Sequence, residues 1–141
     1  MKVVINTDFG SFRLSPKAVK MLMEKKGLPC YVYFISYIED ALYRVDSLDD
    51  NINKKSGCYF RYSTKDIGEY SNFEENADYW WNYRSIDRTD KDLIAVVENL
   101  GEEANDCFSR LKIVEIPDDV EWVIEEYDGM ESIHEKHRIW S

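Results

Sequence analysis

Apolar side chains recur three and four positions apart in two segments of this chain, and that spacing predicts two amphipathic helices. The first segment is LSPKAVKMLMEKKG, residues 14–27. Ser15 is a capping residue, Pro16 suits the first helical position, and Gly27 ends the helix. The pattern therefore predicts a helix that starts just after Ser15 and buries the face bearing Val19.

The second helix is predicted in DRTDKDLIAVVENLGEEAND, residues 87–106. Thr89 or Asp90 is the candidate cap, and Gly101 interrupts or ends the helix. The apolar face is supplied by Leu93, Ile94, Val96, Val97 and Leu100.

Runs rich in β-branched and aromatic residues predict strands between and after these helices. The predicted strands are MKVVINT (1–7), CYVYFISYI (30–38), CYFRYST (58–64), YWWNYRSI (79–86), RLKIVEIP (110–117) and VEWVIEEYD (120–128). Residues 39–57 are predicted to be a loop or a short amphipathic helical turn, and residues 65–77 a loop. The tail GMESIHEKHRIWS, residues 129–141, stays aromatic and amphipathic, so we expect it to pack against the domain. Together these elements predict one α+β domain over residues 1–141, a mainly antiparallel sheet with two principal helices.

Charge is distributed unevenly. Residues 1–89 hold 13 acidic and 13 basic side chains, whereas residues 90–141 hold 15 acidic and 5 basic ones, so the whole net charge of −10 falls in the second part. General attraction to a nucleic-acid polymer or an anionic membrane is therefore not expected. Aromatic residues reach 14%, and Tyr and Trp suit an interface or a ligand pocket.

Three cysteines without a CxxC pair predict neither a disulfide framework nor a zinc knuckle, so reduced thiols are expected. No signal peptide or membrane-spanning run is visible, which predicts a soluble intracellular protein.

No catalytic motif stands out. The chain lacks GxSxG, GxGxxG and GxxxxGK[ST]. HEKH, residues 134–137, places two histidines on one face only if it is helical, and a solvated tail is favoured over a metal site. No cofactor, no metal and no enzymatic activity are expected.

The turn DFGSFRLS, residues 8–15, joins the first strand to the first helix. Phe9 and Phe12 flank small residues there, Arg13 adds a charge, and a helix N-terminus can hold an anion. Two interpretations stay open: a tight turn whose phenylalanines fill the core, or part of an anion site.

The stretch DYWWNYRSIDRTDKD, residues 78–92, is unusual in an acidic chain. As a strand it would place Trp80, Asn82 and Arg84 on one face, with Tyr79, Trp81 and Tyr83 on the core face. Indole can stack on a base and arginine can pair with phosphate. Arg88, Thr89 and Asp90 would add a second helix N-terminus. A subunit interface is the alternative interpretation.

Three stretches together resemble the phage Thoeris anti-defence protein 1 family. They are the frame MKVVINTDFG-F-LS, the segment DRTDKDLIAVVENLGEEA, and the ending LKIVEIPDDVEWVIEEYDGMESIHEKHRIWS. Residues 36–77 carry little of this resemblance. The chain departs from the family's FGGFGLS turn, because Ser11 and Arg13 replace two glycines, and from a frequent basic residue, because Cys107 stands in its place.

The resemblance implies a non-enzymatic protein that sequesters the cyclic ADP-ribose isomers made by bacterial TIR-domain enzymes, in the cytoplasm of the host cell. It also implies a homodimer or higher homo-oligomer, and in some members separate arginine-lined sites for cyclic oligonucleotides. Trp80 or Trp81 would stack on adenine. Thr89 and Asp90 would face the ribose or base, and Arg88 or Arg110 the phosphates.

Two other functions compete with sequestration. An acidic decoy would use the charge of residues 90–141 to mimic DNA and block a host nucleic-acid-binding enzyme. An enzyme that cleaves the cyclic signal would need a general base near the scissile bond, and the sequence identifies none.

Overall fold

A computed structural model describes residues 1–48, 59–74 and 76–135, and the described chain is α+β with mainly antiparallel sheet, as predicted. The strands are β1 (Lys2–Asn6), β2 (Tyr31–Ser36), β3 (Ala41–Val45), β4 (Phe60–Ser63), β5 (Tyr70–Asn72), β6 (Trp80–Trp81), β7 (Leu111–Glu115), β8 (Trp122–Tyr127) and β9 (Met130–Glu135). The helices are α1 (Pro16–Lys25) and α2 (Lys91–Leu100), and short 3-10 turns span Tyr83–Ser85 and Gly101–Ala104.

The strands form three antiparallel sheets. Five strands are ordered β5-β3-β2-β4-β6, β1 pairs with β7, and β8 pairs with β9 as a hairpin. The register places Trp81 opposite Tyr62 and Trp80 opposite Ser63, so the two tryptophans form the short outer strand of the five-stranded sheet. The two tryptophans of the stretch at residues 78–92 therefore lie at a sheet edge.

Both helices start at the predicted caps. The Ser15 side chain accepts a hydrogen bond from the Ala18 N–H, and Pro16 is the first residue of α1. Asp90 caps α2 by accepting from the N–H groups of Asp92 and Leu93. These bonds satisfy amide donors that have no partner within the helix itself.

The main core lies between the helices and one face of the five-stranded sheet. It is formed by Val4, Phe12, Leu14, Ala18, Val19, Leu22, Met23, Val32, Tyr62, Leu93, Val96, Val97 and Ala104. A smaller cluster of Tyr33, Ile35 and Leu42, with Trp80 packed against it, covers the other face. Because successive strand residues point to opposite faces, Val32 and Tyr33 belong to different clusters.

Asn6 joins three segments at the end of β1. This fully buried side chain donates to the backbone carbonyls of Asp8 (2.7 Å) and Gly129 (2.9 Å). Its Oδ1 accepts from the N–H groups of Asp8 and Arg110. The amide therefore fixes the turn after β1 against the tip of the β8–β9 hairpin and the start of β7.

Several sequence predictions were wrong in detail. Residues 41–45 form β3 and residues 70–72 form β5, although both ranges fell in segments predicted to be loops or a helical turn. The strand predicted over residues 79–86 ends at Trp81. His134 lies in β9, whereas His137 lies outside the described residues.

The cysteines also differ from expectation. Cys107 is disulfide-bonded, so the prediction of reduced thiols is wrong at that position. Cys30 is free, and burial raises the pKa of its thiol to about 11.

Among the described residues, no helix combines the length and the apolar character that a bilayer crossing requires.

Candidate functional site

A recess of about 210 Å³ opens beside the outer edge of the five-stranded sheet, and we call it the Arg13–Arg84 cavity. Its lining is Arg13, Leu14, Pro16, Phe60, Arg61, Tyr62, Trp80, Trp81, Asn82, Tyr83, Arg84 and Asp106. Three arginines and five aromatic residues thus converge in an acidic chain. The volume is below the roughly 300–1,000 Å³ of ordinary small-molecule sites, so the cavity within one chain suits part of a nucleotide.

The turn after β1 brings Arg13 to the cavity. Gly10 and Ser11 both have positive φ, 131° and 89°. A Cβ on Gly10 would lie 2.7 Å from the carbonyl oxygen of Phe108, so glycine is required by a close approach as well as by its backbone conformation. The tight turn and the anion-site interpretation are compatible, since the same turn buries Phe12 and presents Arg13.

Asp106 holds Arg13 in place. The Arg13 Nε lies 2.7 Å from the Asp106 Oδ2, and the guanidinium carbon lies 5.5 Å from the centre of the Phe108 ring. The Asp106 side chain is only 5% exposed, and its Oδ1 accepts the Phe108 N–H. Burial raises the pKa of the Asp106 carboxyl, although the Phe108 N–H and the Arg13 charge oppose that shift.

Arg84 reaches the cavity from the 3-10 turn that follows β6. The Asn82 side chain caps this turn by accepting from the Arg84 backbone N–H at 2.9 Å. Within the described part of the chain the Arg84 guanidinium forms no ion pair, and its charge acts on Asp106. Its donors are therefore the best placed in the cavity to receive an anionic ligand.

Both tryptophans line the cavity, and both also pack into the protein interior. The Trp80 Nε1 donates to the Glu74 carbonyl at 2.7 Å, and its ring contacts Tyr33 edge-on. The guanidinium of Arg61 lies over the Trp80 ring at 4.8 Å. Trp81 packs against the main core. Trp80 is therefore not the open wall that simple alternation predicted, because its ring already has contacts with neighbouring side chains.

Arg88 lies away from the cavity and has a structural role. Its Nη1 and Nη2 donate to the two carboxylate oxygens of buried Glu131, at 2.6 and 2.8 Å. Its guanidinium carbon also lies 3.6 Å from the centre of the Phe12 ring. Phe12 is only 7% exposed. The geometry therefore argues against Arg88 as a phosphate ligand and Phe12 as a stacking ring in this cavity.

Thr89, Asp90, Phe9 and Arg110 do not line the cavity either. Phe9 is 53% exposed on the turn. Arg110 lines a separate open recess with Gly101, Glu102, Asn105 and Leu111. The structure thus brings together only Arg13, Trp80, Trp81 and Arg84 from the predicted set.

The Asp90 carboxylate interacts with the first turn of α2 and with Lys26. Burial acts to raise the pKa of this carboxyl, but the Leu93 N–H and the Lys26 ammonium, 3.1 Å away, together hold it below its usual value. A group with a depressed pKa stabilises the fold above its unfolded-state pKa and loses that effect as the pH falls through its folded-state pKa.

Asp90→Ala is therefore expected to lower the free energy of unfolding by about 1–2 kcal/mol at neutral pH, because it removes a cap and an ion-pair partner. Urea unfolding measures this, and the difference from wild type should shrink in acid. Asp87→Ala is the matched control, since Asp87 is exposed, and it should change stability by less than about 0.5 kcal/mol. Equal effects would contradict the assignment.

Sequence reasoning missed several cavity residues, chiefly Asp106, Arg61 and Tyr83. Asp106 is one of 28 acidic residues, and nothing in its neighbours marks it as buried. Tyr83 packs against the main core, as predicted. Its hydroxyl also accepts the Leu14 N–H at 3.2 Å and so joins the two turns that border the cavity. The described residues contain no group of three or more His, Cys, Asp or Glu side chains arranged to hold a metal.

Comparisons with protein-family models, with curated protein sequences and with solved structures find no match to this chain.

Proposed function

We propose that the chain binds a cyclic ADP-ribose isomer at the Arg13–Arg84 cavity and sequesters it without cleaving it. The observation that carries the proposal is the convergence of three arginines and five aromatic residues on one recess. Arginine suits a pyrophosphate, because its planar donors match phosphate oxygens. Aromatic rings suit adenine, because a base stacks on them irrespective of its hydrogen-bonding edge.

The small size of the cavity supports enclosure of the ligand by two copies of the chain. At about 210 Å³ it takes the pyrophosphate or the base, and the rest of the signal would extend over its rim. Enclosure by a second copy of the chain fits the homodimer or higher homo-oligomer that the resemblance implies. A further arginine-lined site for cyclic oligonucleotides stays a prediction.

The contacts of Asp106, an acidic residue in the lining of the cavity, support binding without cleavage. A general base must be within reach of the proton that it abstracts. Both Asp106 carboxylate oxygens already accept hydrogen bonds or ion pairs, from Phe108 N–H and from Arg13. This carboxylate therefore holds Arg13 in position.

The proposal is tested by mixing the pure protein with a cyclic ADP-ribose isomer, filtering, and then heating the retained protein. We expect the filter to withhold the ligand and heating to release it intact. Free passage of the ligand would overturn sequestration, and release of a cleaved product would indicate an enzyme.

Arg84→Ala is expected to weaken binding of the cyclic ADP-ribose isomer about tenfold or more, because it removes a charge-assisted phosphate contact. Isothermal titration calorimetry measures the change. Arg84 is a cleaner test than Trp80 or Trp81, whose rings also pack in the interior. Arg110→Ala is the matched control, since this exposed arginine lies outside the cavity. Weakening by Arg110→Ala alone would place the phosphates at the other recess.

The DNA-mimic alternative has one observation in its favour. Exposed acidic side chains are frequent around the β8–β9 hairpin, namely Asp118, Asp119, Glu121, Glu125, Glu126 and Asp128. Such a decoy needs no ligand cavity. Normal inhibition of a DNA-binding enzyme by Arg84→Ala, together with absence of nucleotide binding by wild type, would favour the decoy.

A further inference from the structure

Tyr62 of β4 lines the Arg13–Arg84 cavity, and its hydroxyl has no hydrogen-bond partner among the described residues. Tyr62 is only 6% exposed, and its side chain belongs to the main core. A hydroxyl that leaves water without gaining a partner destabilises the fold, and native proteins leave few buried polar groups in that state. This unpaired hydroxyl belongs to a residue in the wall of a recess, where a bound ligand can supply the partner.

Tyr33 shows how the same fold satisfies another buried tyrosine. It is fully buried on the neighbouring strand β2 and packs on the other face of the sheet. Its hydroxyl donates to the Gly68 carbonyl and accepts the Ile67 N–H, both at 3.0 Å. The rings of Tyr33 and Tyr62 are both packed, so the two residues differ chiefly in whether the hydroxyl is bonded within the protein.

The surroundings of the Tyr62 hydroxyl favour an oxygen acceptor. Burial raises the pKa of the hydroxyl well above its usual value, so the group keeps its proton at neutral pH and can donate. The charges of Asp106 and Arg13 also act on this hydroxyl, in opposite directions, but no hydrogen bond joins it to either side chain in the described structure. Arg84, which forms no ion pair in the described part of the chain, lines the same cavity and attracts an anionic group.

We propose that Tyr62 is a ligand-binding residue whose hydroxyl donates a hydrogen bond to a pyrophosphate oxygen of the bound ligand. This inference rests on the proposed function, because it takes the cavity to receive the pyrophosphate of the signal. The cost of burying the hydroxyl is already present in the free protein, so the new bond contributes to binding in full. A ligand without an acceptor at this position leaves the hydroxyl unpaired and is disfavoured for that reason.

The experiment compares Tyr62→Phe with Tyr33→Phe, because each variant removes a hydroxyl and keeps the ring. Isothermal titration calorimetry with a cyclic ADP-ribose isomer measures affinity, and urea unfolding measures stability. Tyr62→Phe should weaken binding about tenfold, as expected for a hydrogen bond to a charged acceptor, and should leave the urea midpoint unchanged or higher. Tyr33→Phe should do the reverse, lowering the urea midpoint and leaving the affinity of the folded protein unchanged.

Two results would overturn the role of Tyr62. If Tyr62→Phe binds the ligand as tightly as wild type, the ligand does not accept from this hydroxyl. If Tyr62→Phe lowers the urea midpoint as much as Tyr33→Phe, or fails to fold, the hydroxyl already has a partner in the free protein.

ADP-ribose separates this inference from the proposed function, since it carries a pyrophosphate in a linear molecule. If wild type binds ADP-ribose but no cyclic ADP-ribose isomer, and Tyr62→Phe weakens that binding, the role of Tyr62 stands and the proposed function falls. If a cyclic isomer binds wild type and Tyr62→Phe equally well, the proposed function stands and the role of Tyr62 falls. If neither ligand binds wild type, both fall.

Discussion

Replacing Glu131 with alanine is expected to lower the free energy of unfolding by about 3–5 kcal/mol, the cost of breaking a buried ion pair from one side. Glu131 is 8% exposed and receives two hydrogen bonds from Arg88. It also accepts the backbone N–H of Asn6 at 2.8 Å. Alanine would leave the Arg88 guanidinium without its carboxylate and the Asn6 amide without an acceptor.

Urea unfolding measures the effect, with Glu125→Ala as the matched control from the same hairpin. Glu125 lies 3.4 Å from His134, and the two side chains are 63% and 51% exposed. An exposed pair of this kind contributes little, so the control should lose less than about 0.5 kcal/mol. A loss below about 1 kcal/mol for Glu131→Ala would show that the hairpin docks mainly through other contacts.

The helices were predictable because their signals are local. Ser15 and Pro16 mark the start of α1, and Asp90 that of α2, within a few residues of the bonds that they make. Strands β1, β2, β7 and β8 were predictable for the same reason, since alternation and β-branched residues need no distant partner to be recognised. β9 was not predicted, because its residues were assigned to the amphipathic tail.

The strands β3 and β5 were missed because their stability depends on pairing. Tyr70–Asn72 is a three-residue edge strand whose backbone hydrogen bonds go to β3. β3 itself is ordered by pairing with β2. β2 precedes β3 closely, but polar residues flank both β3 and β5, so local propensity underestimates both strands when their pairing is left out.

The cavity was only partly predictable, for a comparable reason. Arg13, Trp80, Trp81 and Arg84 are conspicuous in an acidic chain and do line it. The assignment of Arg88 failed to anticipate Glu131, 43 positions further along the chain, whose carboxylate takes its guanidinium. The sequence shows which arginines are present, but the tertiary fold determines which of them form ion pairs.

Gly129→Ala is expected to lower the free energy of unfolding by about 2–5 kcal/mol, because two effects add. Gly129 has φ of 88°, and a left-handed backbone costs a residue with a Cβ about 1–2 kcal/mol. The added Cβ would also lie 2.5 Å from the backbone N of Gly10, and it would clash with the backbone N of Ser11. Overpacking against a backbone that cannot move aside costs a further 1–3 kcal/mol or so.

Gly27→Ala separates the two effects. Gly27 has a similar φ of 75°, but nothing lies within 4 Å of a Cβ placed there. This variant should lose only the conformational part, about 1–2 kcal/mol. Equal losses in urea unfolding would mean that the hairpin tip is not pressed against the turn.

Gly129→Ala and Gly27→Ala also test whether the β8–β9 hairpin supports ligand binding at the cavity. The Gly129 contact lies on Gly10 and Ser11, two residues before Arg13, so relief of the clash must displace the turn that carries this arginine. Gly129→Ala should therefore weaken binding of the cyclic ADP-ribose isomer at temperatures where the variant is still folded, whereas Gly27→Ala should not. Unchanged affinity in the folded Gly129→Ala protein would show that Arg13 keeps its position without support from the hairpin.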